Sequence, residues 1–123
     1  MNKGKSMTEA FGNSVNPPGE YSERRSVPRF SLIATAEIIE PASGVHISGR
    51  ISEISRKGCY LDVLNTLPIG TRLRLDISRD QGTFSTESKI IYIQEGMGMG
   101  IAFLNVLPDQ LKILDAWLVD LAS

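Results

Sequence analysis

The stretch Thr71-Arg72-Leu73-Arg74-Leu75-Asp76-Ile77-Ser78 alternates between apolar and polar side chains. Successive side chains of a strand point to opposite faces, so Leu73, Leu75 and Ile77 share one face while Arg72, Arg74, Asp76 and Ser78 share the other. A strand with one dry and one wet face belongs to a sheet folded around a core with solvent outside it. The same signature recurs on both sides. Before it, residues 65–70 make a turn with Pro68 and Gly70, and after it Arg79-Asp80-Gln81-Gly82 turns the chain again. Upstream, strands are predicted over 30–40, 45–54 and 59–64, the first ending at Pro41 and Ala42-Ser43-Gly44. Downstream, a long strand is predicted over 83–94, closed by Glu95-Gly96, and a last one from Met97 to Phe103. In that last strand Met97, Met99, Ile101 and Phe103 alternate with Gly98, Gly100 and Ala102. Two glycines on one strand face allow either the close approach of another backbone or side chain, or a bend where a barrel closes.

The end of the chain changes period. Pro108 suits the first position of a helix and Asp109 suits its first turn, where the dipole favours negative charge. Leu111, Leu114, Leu118 and Leu121 follow at spacings of three and four, with Trp117 on the same side. This is an amphipathic helix of about three turns. Its apolar face is expected to pack on the sheet, and docking into a partner's groove is the alternative. Six short strands with tight turns and one terminal helix predict a mainly β protein, a small six-stranded antiparallel β-barrel with a C-terminal α-helix.

A chain of 123 residues is enough for one domain. Residues 1–21, rich in Gly, Pro, Asn and Ser, are expected to form a disordered tail, and 22–123 the barrel domain. Lys and Arg total 13 against 14 Asp and Glu, which lacks the broad positive excess that a nucleic-acid binder needs. The single cysteine, Cys59, rules out an intrachain disulfide and fits a reducing compartment, where it would serve as buried filler. No apolar run approaches a membrane span, and no apolar core follows Lys3 and Lys5 as a secretory signal requires. The expectation is a cytoplasmic protein without membrane insertion.

The chain offers no constellation for catalysis, so it is not expected to be an enzyme. His46 is the only imidazole, and with one distant cysteine it cannot assemble a common zinc site. It reads as a solvent-facing strand residue. Ser55 has no base paired with it in sequence, and no glycine-rich phosphate loop precedes a helix.

Two short clusters remain. Arg24, Arg25 and Arg29 place three guanidiniums within six residues, with Pro28 restricting the backbone between them. Guanidiniums pair in a fork with phosphate oxygens and donate to the O6 and N7 edge of guanine. Alone, such a cluster reads first as a solvated basic linker or a site for acidic partners. The second cluster is Glu53-Ile54-Ser55-Arg56-Lys57-Gly58. Glu53 and Ser55 lie on one strand face, where a carboxylate can accept from guanine N1 and N2 and a hydroxyl can bond the same ligand. Gly58 permits a tight turn with positive φ and exposes backbone N–H. Alone, this reads first as an ordinary β-turn at a strand end. Together the two clusters complement a guanine nucleotide carrying phosphates.

With these motifs, in this order on a β-rich chain, the sequence resembles the PilZ domain family. The family signature is Arg-x-x-x-Arg followed by (Asp/Asn)-x-Ser-x-x-Gly. Arg25 and Arg29 match the first motif, and Ser55 and Gly58 match the second. The resemblance extends from about residue 23 to the C-terminus. It implies a receptor for the bacterial messenger cyclic di-GMP, with no cofactor, that changes conformation on binding and signals to a downstream protein. By the same resemblance Arg25 and Arg29 contact guanine and phosphate, while Ser55 and the Gly58 turn hold the other side of the ligand. Arg24, just before the motif, implies a stacked pair of ligand molecules per domain. The sequence departs from the pattern at Glu53, which keeps the charge but adds a methylene. That departure implies weakened binding, or a degenerate domain that binds no nucleotide and acts through proteins.

Overall fold

The computed structural model describes residues 27–123. The expected tail over 1–21, and Arg24 and Arg25, lie outside the described residues. The strands are β1 (Arg29–Glu40), β2 (Val45–Ser55), β3 (Gly58–Asp62), β4 (Arg72–Arg79), β5 (Gly82–Gln94) and β6 (Gly98–Leu104), followed by helix α1 (Pro108–Ala122). They close into a barrel in the order β1-β2-β3-β6-β5-β4, with every neighbouring pair antiparallel. Closure leaves no long unpaired edge to solvent. The predicted six-stranded barrel with a terminal helix is therefore the observed fold.

The alternation in β4 is realised as read. Leu73, Leu75 and Ile77 are buried, while Arg72, Arg74 and Ser78 are exposed. The last strand differs from its prediction. The alternation groups Met97 with Met99, Ile101 and Phe103 at the start of the strand, but it sits in the turn after Gly96 (φ 74°) and is 63% exposed. Its N–H donates to the Gln94 carbonyl at 3.0 Å, which closes that turn and delays the strand to Gly98. Likewise β3 ends at Asp62, before Leu64, which is exposed.

Helix α1 runs for 15 residues, about four turns rather than three. Leu114 and Trp117 are buried against the barrel, with Leu111, Leu118 and Leu121 packed around them. The Trp117 ring stands edge-on to Phe84, whose other contact is the edge of Phe103 at 5.1 Å between centroids. Such edge-to-face pairs contribute about 0.5–1.5 kcal/mol beyond their buried area. Polar tethers fix the same helix. The Ser85 N–H donates to Gln110 Oε1 at 2.7 Å, and Arg79 reaches Asp120 at 2.7 Å.

Candidate ligand-binding site

Three chain segments meet at one corner of the barrel: the start of β1, the end of β2 and the turn into β3. In the β1–β2 ladder Arg29 lies opposite Ser55 and Ser31 opposite Glu53. The β1–β2 ladder shifts register between Ser31 and Ala34, with the extra residue on β1, and the β2–β3 ladder shifts between Ile51 and Glu53, with the extra residue on β2. This bulge inserts Ser52 and reverses the alternation, so Ile51 and Ile54 both point into the core while Glu53 faces outward. Without the extra residue Ile51 and Glu53 would share a face, and the carboxylate would point into the barrel.

Outside the barrel, Arg29 Nη1 donates to Glu53 Oε1 at 3.2 Å. The arginine side chain is 14% exposed and the glutamate 40%. One residue from each of the two sequence clusters thus forms a diagonal cross-strand ion pair. His46, read as a solvent-facing strand residue, is on the exposed part of β2 and pairs there with Glu37.

Ser55 is buried. Its Oγ accepts from the N–H groups of Lys57 and Gly58 at 3.1 and 3.2 Å and donates to the Gly58 carbonyl at 3.4 Å. In this structure the hydroxyl shapes the turn. Gly58 corrects the expectation of positive φ: among the described residues the glycines with positive φ are Gly44, Gly70 and Gly96. Gly58 is needed for another reason, because a Cβ there would overlap the Ile101 carbonyl oxygen of β6. Its N–H is also engaged, by Ser55, rather than exposed. The turn is sewn to the rest of the molecule on two sides. The Phe103 N–H donates to the Lys57 carbonyl at 2.8 Å, and Arg56 grips Asp115 of α1 through two nitrogens at 3.0 and 3.4 Å.

Tyr60 lies opposite Glu53 in the β2–β3 ladder and opposite Gly100 in the β3–β6 ladder, and Gly100 lies opposite Tyr92. The alternatives left open for the two glycines of β6 resolve toward close approach. A Cβ on Gly98 would lie 2.8 Å from the Tyr60 ring and one on Gly100 would collide with the Tyr92 ring. Burial, with a smaller contribution from the charge of Asp62, pushes the Tyr60 phenol up to about 12, so it is neutral at physiological pH. Sequence reading missed both tyrosines. The available signal was a pair of aromatic residues on strands flanking a strand whose outward face carries glycine. A groove of about 410 Å³ lies elsewhere, between β4, β5 and the start of α1, lined by Arg74, Thr86, Asn105 and Leu107 among others. It shares no residue with this corner.

The family model of the PilZ domain matches residues 23–120. The chain belongs to the PilZ domain family. Solved structures with the same fold include the PilZ domain of YcgR from Escherichia coli with c-di-GMP, at TM-score 0.69 and 20% identity, covering 80% of this chain and 92% of that one. YcgR from Escherichia coli in complex with c-di-GMP superimposes at TM-score 0.71 and 21% identity over 83% of this chain and 47% of that one. The Bacillus subtilis inhibitor of motility MotI/DgrA superimposes at TM-score 0.68 and 19% identity over 85% of this chain and 55% of that one. This PilZ domain thus spans about half the length of those two longer proteins. No curated protein sequence matches the chain. Among the described residues no helix is long and apolar enough to cross a membrane.

Proposed function

We propose that this PilZ domain is a cyclic di-GMP receptor that passes the binding event to a downstream protein. The observation that carries this reading is the meeting of Arg29, Glu53, Ser55 and Gly58 at one corner, although they come from two separated clusters. A buried-edge guanidinium beside a carboxylate offers donors for phosphate and guanine O6/N7 and an acceptor for guanine N1/N2. Arg25 is joined to this corner by four residues of chain, a length that extends over about 14 Å at most. Arg24 and Arg25 complete the guanidinium set in the proposal, with Arg24 recruiting a second ligand molecule. Ser55 acts by holding the turn between Glu53 and Gly58. The relatives crystallised with c-di-GMP support the reading.

A second reading has an observation in its favour. The Arg29–Glu53 ion pair satisfies part of each group, and ligand must compete with it. A domain in which that pair persists would act as a protein-interaction module without nucleotide.

Calorimetric titration of cyclic di-GMP into the unsubstituted protein and into Arg25→Ala and Arg29→Ala separates the two. The receptor reading expects micromolar or tighter binding. It also expects each substitution to weaken binding about tenfold to a hundredfold, as the loss of a charge-assisted bond of roughly 1.5–3 kcal/mol requires. A stoichiometry of two supports the role given to Arg24. No heat at high ligand concentration with a folded protein overturns the receptor reading in favour of the interaction module.

A further inference from the structure

Five outward-facing positions lie in register across the barrel wall: Ser31, Glu53, Tyr60, Gly100 and Tyr92, on β1, β2, β3, β6 and β5. Directly opposite residues on one face of antiparallel strands have Cβ atoms about 4.5–5.5 Å apart, so Glu53 and Tyr60 stand side by side at the backbone; from there the Glu53 carboxylate turns to Arg29 on β1, while the Tyr60 ring leans over β6 and donates its hydroxyl to Gln94 on β5. Gly98 and Gly100 carry no side chains to hold the rings up. The Tyr60 ring therefore lies down beside Gly98 and the Tyr92 ring beside Gly100. The rings are 6.1 Å apart between centroids and inclined by 36°. Both remain half-buried rather than covered. Most large apolar side chains of these strands point inward, but this aromatic pair lies on the outer wall, next to the one carboxylate of the proposed site.

We propose that the Tyr60 ring, backed by Tyr92, is the stacking surface for a guanine base whose N1/N2 edge is held by Glu53. The inference rests on the receptor reading above and names a residue that neither sequence motif contains. A base lying flat on the barrel wall presents its edge in the plane of the sheet, toward the strand on which Glu53 stands. The Tyr60 ring then contacts the face of the base, and the carboxylate accepts from its edge. Aromatic faces bind any base, so the specificity resides in Glu53 and the stacking energy in Tyr60.

The test uses the whole chain and cyclic di-GMP. In the unsubstituted protein, isotope-filtered NMR is expected to show cross-peaks between guanine H8 or H1′ and the Tyr60 ring protons, with guanine resonances moved upfield by the ring current. Calorimetry is expected to show Tyr60→Phe within about twofold of the unsubstituted protein and Tyr60→Leu weakened about tenfold, since a base–aromatic stack is worth roughly 1–3 kcal/mol. Binding of normal strength without these cross-peaks, or with Tyr60→Leu folded and unimpaired, overturns this proposal and leaves the receptor reading standing. Absence of binding by the unsubstituted protein overturns both. Because the NMR arm needs no substitution, misfolding of Tyr60→Leu does not remove the test.

Discussion

Gly58 occupies a position where backbone meets backbone. Its Cα faces the Ile101 carbonyl of β6 at a separation that leaves no room for a methyl group. The same residue donates its N–H to Ser55, so a shift that relieved the clash would also stretch the turn. Gly58→Ala is therefore expected to destabilise the domain by about 1–3 kcal/mol, the usual range for overpacking. A urea unfolding curve checks this, and an unchanged midpoint would mean the β3–β6 contact is looser than the geometry states. Glu53 shows the opposite kind of constraint. Nothing steric selects it, but the Ser52 bulge turns it outward, where it pairs with Arg29 and stands opposite Tyr60 in the ladder. A single inserted residue thus decides whether this carboxylate faces outward or is a buried charge.

At the scale of elements, α1 and the β2–β3 turn are joined by forces of unequal size. The Arg56–Asp115 pair is well aligned, but both side chains are about half exposed, and such pairs contribute roughly 0–1 kcal/mol. Trp117, by contrast, fills the space against Phe84 and is 8% exposed. Trp117→Ala is expected to cost about 3–5 kcal/mol through lost burial and the cavity left behind, and Asp115→Asn no more than about 1 kcal/mol. Thermal or urea denaturation of the two variants side by side measures the difference. Equal losses would show that the ion pair docks the helix as strongly as the aromatic contact does. The polar tethers then set where along the barrel the helix rests, and the apolar face sets how strongly.

For the whole molecule, two buried or half-buried acids give stability a dependence on alkaline pH. Burial pushes the Cys59 thiol far above its ordinary value of 9.0, and burial aided by Asp62 raises the Tyr60 phenol from 10.0 to about 12. Both groups hold their protons more tightly when folded than when unfolded. The unfolded chain therefore releases protons first as pH rises, and stability is complete below about pH 9 and falls progressively above it. The urea midpoint is expected to be the same at about pH 7 and 8 and lower at about pH 10.5. Cys59→Ala should flatten the fall just above pH 9 while lowering the baseline. A midpoint independent of pH up to 10.5 would contradict the burial of Cys59 in solution.

Much of this architecture was legible in the chain because periodicity is a local property. The alternation in β4, the heavy punctuation by Gly, Pro and Asp, and the three-and-four spacing from Leu111 to Leu121 each fix a face without reference to distant residues. The paired clusters likewise carry the donors and acceptors on which the proposed guanine-and-phosphate chemistry rests, since residue types keep their hydrogen-bonding capacity wherever they stand. Tertiary structure alone decided what depends on register and closure. It turned Glu53 outward by a bulge that leaves no mark in composition, gave Gly58 to the approach of β6 instead of to positive φ, and moved Met97 into a turn. It also set Tyr60 beside Glu53 and laid it down next to Gly98, although Tyr60 and Gly98 are far apart in the chain. Local alternation sets the faces of a regular strand, but only strand pairing sets where a bulge reverses them and which neighbour a residue meets, and a binding site is made of neighbours.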